Sequence, residues 1–371
     1  MAYPRDVQRF AQQQQQQQQQ QQIRKSSLQS QSEKSPFYDP LPMPATSPKT
    51  IRGRCFLRVM LYALLFGVVT VGMHSYYCTP APFNPDEVLA LPNVGLHHAK
   101  LLDYKQLEEI PEKYIPREND AKEKRLVFIG DVHGMYKELR DLLHEIHYNS
   151  KTDHLVFTGD MVSKGPESLK VIDFARKEEA SCVRGNHDDR ILLHYHRIHA
   201  RAGTEEEEKE DEPPVKGMKK VRKEKKLARK MSKKQAEYLD SCPLILKASG
   251  VMGLGNVAVV HAGLVQGIEL ENQDPFALMN MRSIHSKLRV PSDDTDGMHW
   301  AKLWNRFEAK AKEQKTVIYG HYAARGLDIR PLSKGLDTNC VRGGKLTAFV
   351  VSSSSKDPKI VSVNCREEYS G

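Results

Sequence analysis

Carboxylates, imidazoles and one amide stand in short glycine-flanked motifs: GDVHG at Gly130–Gly134, GDMVSKGP at Gly159–Pro166, RGNHDD at Arg184–Asp189, HAG at His261–Gly263 and YGH at Tyr319–His321. A hydrolase that works with divalent ions needs such ligands projecting from several rigid elements, with one carboxylate able to bridge two ions. The candidate ligands are Asp131, His133, Asp160, Asn186, His261 and His321. Glycines beside them permit the tight turns and close backbone approach that a shared pocket demands. One GDxHG alone reads equally well as a structural turn. Three ordered motifs with two further glycine-flanked histidines do not.

Those loops need rigid elements behind them, and the sequence supplies alternating strand and helix patterns. The apolar run Arg125–Ile129 ends at GDVHG, and Tyr136–His147 then spaces Leu139, Leu142, Leu143 and Ile146 as on a helix. The unit recurs. His154–Thr158 leads into GDMVSKGP and the helical ESLKVIDFARK, and Ala180–Val183 leads into RGNHDD. Val257–Val260 runs into HAG and Thr316–Tyr319 into GH, while LTAFVV and KIVSVN read as an antiparallel hairpin. Strands that end in Asp, His or Asn place chemistry where α/β folds carry it.

The chain of 371 residues is 39% hydrophobic, enough for a core, and its formal charge of +9 suits a phosphate-rich partner. Charge alone leaves nucleic acid, nucleotide, polyphosphate and an anionic membrane face open. Six cysteines without CxxC spacing exclude a zinc ribbon and a dense disulfide scaffold, leaving room for one or two bridges in an oxidising compartment. Residues 1–54, with the glutamine run Gln12–Gln22, read as a disordered cytosolic tail. Residues 55–78 read as a transmembrane signal anchor, with Lys49, Arg52, Arg54 and Arg58 on its N-terminal flank, so the positive-inside rule puts all that follows outside the cytosol. A connector at 79–121 precedes the catalytic domain, residues 122–366. A charged insertion at 203–235 runs from an acidic to a basic block and reads as a solvated excursion with no apolar face worth burying.

With these motifs the chain resembles the phosphoprotein phosphatase superfamily of metallophosphoesterases over residues of about 124 to 365. The resemblance implies an α/β fold of two mixed β-sheets sandwiched by helices. It implies that Asp131, His133 and Asp160 hold one metal, and that a bridging Asp160 with Asn186, His261 and His321 holds another. Zinc is the expected ion, with manganese, cobalt or magnesium as alternatives. His187 matches the family's general acid. Protein phosphatases carry VDRG where this chain has Val162, Ser163, Lys164 and Gly165, so the carboxylate behind the acid is Ser163 and the phosphate-clamping arginine is Lys164. Arg282 and Asn186 join Lys164 as candidate phosphate contacts. GDMVSKGP with GLDTNCVRGGKLTAF at Gly335–Phe349 resembles the branch of the diadenosine tetraphosphatases, and the anchor adds similarity to the vacuolar zinc-dependent endopolyphosphatases of fungi.

A phosphoanhydride leaves as a stabilised phosphate anion and needs less proton donation than a serine alkoxide. A histidine acid without its carboxylate is therefore better matched to anhydride substrates, and with the resemblance the preferred expectation is hydrolysis of internal anhydride bonds of polyphosphate. Dinucleoside polyphosphates, RNA caps and phosphoserine proteins stand behind it as alternatives. No sequence-specific nucleic-acid binding is expected, and the anchor implies a single-pass type II protein with its catalytic domain in the vacuole. Arg184 reads as a structural contact, and His194, His196 and His199 as a solvated helix face.

Overall fold

The computed structural model describes residues 62, 64, 66–70, 104–201, 218–285 and 290–366. The tail, most of the apolar segment 55–78 and the acidic half of the insertion lie outside them. Among the described residues no helix is long and apolar enough to cross a membrane. Positions 62, 64 and 66–70 are helical, with Tyr62, Leu64, Phe66, Val68 and Val69 exposed.

Strands run in order β1 Leu107–Glu109, β2 Arg125–Ile129, β3 Asp153–Phe157, β4 Ser181–Cys182, β5 Ile245–Val251, β6 Gly255–Val260, β7 Ser283–Ile284, β8 Pro291–Ser292, β9 Met298–His299, β10 Lys315–Tyr319, β11 Asp328–Arg330, β12 Ser333–Gly335, β13 Lys345–Ser352 and β14 Ser355–Asn364. Helices are α1 Tyr136–Glu145, α2 Ser168–Lys177, α3 Asn186–Arg201, α4 Met218–Lys230, α5 Lys233–Ser241, α6 Pro275–Asn280 and α7 Trp300–Glu308. One sheet has the order β14-β13-β2-β3-β4 and the other β1-β5-β6-β10-β12-β11, both mixed. A small sheet, β8-β7-β9, stands apart.

The period-two alternation of strand side chains builds the layers. Leu126, Phe128, Val156, Phe349 and Val351 of the first sheet pack against Leu246, Ala248, Val257, Val259 and Ile318 of the second, forming the inter-sheet core. Their neighbours Val127, Ile129, Leu155 and Phe157 face outward and are covered by α1, α2, α3 and α5 through residues such as Leu139, Ile172, Ile191 and Leu239. On the far side Ala258, Val260, Val317 and Tyr319 meet Leu278 of α6 and Trp300 and Trp304 of α7. This is the expected sandwich of two mixed sheets between helices. Parallel runs β2-β3-β4 and β6-β10-β12 point the same kind of strand end, the carboxyl end, into the candidate motifs.

Two segments behave differently from the sequence reading. The fold begins ahead of Lys122: β1 pairs parallel with β5 inside the stretch read as connector. The basic half of the insertion is also not a free excursion. It forms α4 and the start of α5, burying Ala228 and Met231 in the core under α3. A capping box between Ser232 and Gln235 starts α5 cleanly, because each side chain satisfies the other's orphan backbone N–H.

Two disulfides, Cys182–Cys242 and Cys340–Cys365, tie β4 to the end of α5 and the loop before β13 to the C-terminal end of β14. Closing a loop of 60 residues limits the unfolded ensemble. Replacing Cys182 and Cys242 together by serine should destabilise the fold by about 2–4 kcal/mol, read as a lower urea midpoint. A midpoint equal to that of the oxidised parent would contradict this.

Candidate active site

Each motif lies in the loop just past a strand end, and hydrogen bonds between loops lock them together. His133 N–H donates to Asp160 O at 2.8 Å, Gly134 N–H to Met161 O at 2.9 Å, and Gly320 N–H to His261 O at 2.9 Å. His321 N–H reaches the Asp131 carboxylate at 3.1 Å, and His187 N–H reaches Asp160 Oδ1 at 2.8 Å. Such tightness has a backbone cost: His133, Asp160, Ser163, Lys164 and His321 all adopt positive φ between 47° and 75°. Non-glycine residues in this region cost of order 1 kcal/mol each and cluster where function over-determines them. At Gly320 a Cβ would collide with the Asp131 carboxylate, so only glycine lets the β10 loop pass.

The six expected ligands are thereby brought to one place, and all but Asn186 are at least nine-tenths buried. Asp160 sits at the middle: its Oδ2 is 3.5 Å from His133 Nε2 and its Oδ1 is 3.4 Å from His261 Nε2. Asp131 Oδ2 lies 4.0 Å from His133 Nε2. Around His261 Nε2 stand Asn186 Oδ1 at 3.1 Å and His321 Nδ1 at 3.2 Å.

The tautomers follow from the other ring nitrogens. A carbonyl oxygen only accepts, so His133 Nδ1–H donates to Val162 O at 3.1 Å, His261 Nδ1–H to Thr158 O at 2.8 Å and His321 Nε2–H to Asn280 O at 3.0 Å. The opposite nitrogens then aim lone pairs inward at carboxylate and amide oxygens. Acceptors facing acceptors repel unless a cation lies among them, so this donor set fits divalent metal ions. Two overlapping groups have the spacing for it, His133 with Asp160 and His187, and Asp131 with Asp160 and His261.

The electrostatics agree. Burial would raise the Asp160 carboxyl, but His261, His187 and His133 hold it well below the usual range. Burial would lower His261, yet Asp160 beside it lifts the imidazole to about 10, a proton then doing the work of a cation. Burial keeps His133 neutral, down to about 4, and burial with the neighbouring His261 and Arg282 lowers His321. Asp131 is raised by burial and by Asp337 close by. Asp337 spends one oxygen on Asn339 N–H at 3.0 Å and acts on the site through its charge.

His187 is buried at the edge of this cluster, its ring edge-on to His133 with centroids 4.8 Å apart. Ser163 Oγ stands 3.1 Å from its Nδ1, so a hydroxyl occupies the place where the protein phosphatase pattern has a carboxylate. Burial, His133, Lys164 and Arg190 all push the imidazole down, against the pull of Asp160. The Lys164 amine lies 2.7 Å from His133 Nε2, so it must swing outward to meet a substrate phosphate. Arg282 is half-buried at the mouth, donating to Asp293 O at 2.9 Å and lying 5.9 Å from the Tyr322 ring.

Other histidines and arginines stay outside the cluster. Arg184 is buried against Asp189 at 3.5 Å and Asp240 at 3.2 Å, the structural role its place suggests. His196 pairs with Asp240 at 2.8 Å and His194 lies 3.9 Å from Glu224, so this face is partly covered by α4 and α5 rather than solvated. The sequence reading missed Asp188, whose carboxylate accepts from Val162 N–H and Gly185 N–H and so ties the second motif to the third. It missed Arg190 too, although a cation one helical turn beyond His187 was a visible signal.

Gly320→Ala should displace the Asp131 carboxylate and lower both bound metal and turnover by at least tenfold. Metal content of the purified variant by mass spectrometry checks this. A full metal complement with parental turnover would show that the β10 loop has slack.

The comparisons with known proteins agree with this geometry. Over 266 residues the chain is 27% identical to the zinc-dependent endopolyphosphatase of Saccharomyces cerevisiae, covering 65% of this chain and 81% of that one. Over 286 residues it is 25% identical to the symmetrical bis(5'-nucleosyl)-tetraphosphatase of Nitrosospira multiformis, covering 64% and 94%. A crystal structure of a protein provisionally named a diadenosine tetraphosphatase superposes with a TM-score of 0.54 at 28% identity, covering 70% of this chain and 98% of that one. The model of the calcineurin-like phosphoesterases matches residues 124–350, the span that carries every motif above, and the chain belongs to that family of metal-dependent phosphoester and phosphoanhydride hydrolases.

Proposed function

We propose that the chain is an endopolyphosphatase, a two-metal hydrolase of the internal anhydride bonds of inorganic polyphosphate. The observation that carries this reading is Ser163 in hydrogen-bonding distance of His187, with the cations Lys164 and Arg190 near the ring and no carboxylate backing it among the described residues. An imidazole so placed is a weak proton source near neutral pH. It suits a leaving group that departs as phosphate and needs little protonation.

In this reading Asp131, His133 and Asp160 hold one divalent ion, and Asp160, Asn186, His261 and His321 the other. Zinc is the first candidate, since the yeast relative is named zinc-dependent. When bound, such ions supply an activated water and neutralise charge developing on phosphorus. The protein's own groups do the rest. Lys164 and Arg282 draw phosphate oxygens to the mouth, His187 stands at the departing oxygen, and the buried carboxylates fix the geometry. One water is consumed per bond: its oxygen ends on the attacked phosphorus, and the electron pair of the broken P–O bond stays on the departing phosphate. A mobile ammonium such as Lys164 suits a repeating polyanion better than a fixed bidentate fork would.

The two disulfides support a catalytic unit in an oxidising lumen. With residues 55–78 as anchor, that makes a type II protein of the vacuolar membrane. Protease treatment of intact organelles should digest an N-terminal tag and spare a C-terminal one. The reverse pattern would put the site in the cytosol.

The likeness to tetraphosphatases makes diadenosine tetraphosphate the second substrate to test. The full chain in detergent, supplied in turn with zinc, manganese, cobalt and magnesium, should cleave long-chain polyphosphate with a higher kcat/KM than diadenosine tetraphosphate, capped RNA or a phosphoserine peptide. A preference for the dinucleotide would overturn the polyphosphate reading. Asp160→Asn should abolish turnover on all of them, by at least a thousandfold, because both halves of the site share that carboxylate. Substantial activity at full metal occupancy would sink the two-metal arrangement.

A further inference from the structure

The insertion helix α4 carries one acid that its composition does not explain. Glu224 lies within MKKVRKEKKLARK, yet it is 6% exposed, while the lysines beside it face outward or are half-buried. A buried carboxylate without a partner costs several kcal/mol, so its neighbours reveal its purpose. Glu224 Oε1 is 3.2 Å from Arg190 Nη2, and Oε2 is 3.9 Å from His194 Nε2. Arg190 lies on α3, three residues after His187, which puts both side chains on one helix face. The same Nη2 that meets Glu224 stands 2.6 Å from His187 Nδ1 and 3.1 Å from its Nε2. A continuous chain of contacts thus runs from the inserted helix to the candidate general acid.

We propose that Glu224 is a positioning residue that holds Arg190 at the active-site mouth, and that Arg190 binds the phosphate departing from a cleaved anhydride. This rests on the anhydride reading above. The guanidinium touches the imidazole that stands at the departing oxygen, so it lies on the leaving side of the site. It remains about one-third exposed, 36% for the side chain, and is open to substrate. Its hydrogen bonding is not saturated either: the buried Arg190 Nε has no hydrogen-bond partner, and the contact of Nη2 with Glu224 Oε1 is an ion pair without an aligned hydrogen bond, so the guanidinium can turn its donors to an anion that enters. A guanidinium with free donors is the side chain best matched to a phosphate dianion. Ser163 completes the arrangement, because a carboxylate at that position would draw Arg190 to itself. The hydroxyl leaves the positive charge for the anion.

In chemical terms, a water oxygen bonds to the attacked phosphorus while its protons pass to the product phosphates or to solvent, and the bridging P–O bond breaks. Its electron pair stays on the bridging oxygen, now a terminal oxygen of the leaving phosphate, where Arg190 meets the new charge. An ester whose leaving group carries no phosphate gains less from this contact, because it offers one charged oxygen and no further phosphate oxygens for the guanidinium fork.

The test compares tripolyphosphate with p-nitrophenyl phosphate on the full chain in detergent, for the parent and for Arg190→Ala, Arg190→Lys and Glu224→Gln. Arg190→Ala should lower kcat/KM at least tenfold more for tripolyphosphate than for the aryl ester, and Arg190→Lys should recover part of that difference. Glu224→Gln, nearly isosteric, should produce the same selective loss at smaller size, appearing mainly in kcat. Equal losses on both substrates would reduce Arg190 to a structural part and overturn the proposal. Selective loss in Arg190→Ala with a parental ratio in Glu224→Gln would overturn the role given to Glu224. A parent that cleaves the aryl ester but not tripolyphosphate would instead defeat the anhydride reading itself.

Discussion

The structure depends on lone pairs that must be made to converge. An imidazole presents a lone pair inward only if its other nitrogen gives its proton away, and here each acceptor is a main-chain carbonyl: Val162 O, Thr158 O and Asn280 O. These carbonyls belong to the β3 loop, the end of β3 and the end of α6, so no side chain can be substituted to release them. Once the tautomers are fixed, Asp160 faces His133 on one side and His261 on the other. The centre is then electrostatically unfinished without positive charge, and everything around it serves to hold that state.

Holding it requires two sheets rather than one. The first contributes Asp131, His133, Asp160 and Asn186 through the ends of β2, β3 and β4, and the second contributes His261 and His321 through β6 and β10. Packing of Leu126, Phe128 and Val156 against Val257, Val259 and Ile318 sets the distance between the two ligand sets. Interiors are close-packed and resist small shifts, so the apolar core between the sheets acts as a gauge for polar geometry at their ends. Left-handed backbone at five site residues shows that the loops are bent to this gauge and do not follow local preference.

Much of this was legible in the sequence, because period-two apolar runs ending in glycine and a ligand are strong local signals. Arg125–Ile129 and Lys315–Tyr319 were read nearly to the residue. The six candidate ligands, picked out because glycine and ligand types together are rare by chance, lie side by side in the fold. Other features were not legible, for identifiable reasons. Leu107–Glu109 has one apolar residue in three and becomes a strand only because β5 offers it an edge. In α4 the few apolar residues are spaced among lysines, so burial of Ala228 depends on the α3 surface, which sequence cannot display. The position of Arg190 fails in the same way: its spacing from His187 was visible, but its anchor Glu224 arrives from a segment more than thirty residues away.

Charge distribution supports the substrate class proposed above. The centre is acidic and its donor set fits metal cations, while Lys164, Arg190, Arg282 and Arg342 stand around it; Arg342 is close enough to lower Lys164, after burial, the larger cause. A phosphoserine peptide would bring a single phosphate to these cations. A chain of phosphates brings a charge for each, on both sides of the bond to be broken. The same ring would weaken protonation of a poor leaving group at His187, so what it gains for anhydrides it loses for alkyl esters. In the proposed reading, the Ser163 hydroxyl and the cations around the imidazole act together, from the second motif, from α3 and from the inserted helix.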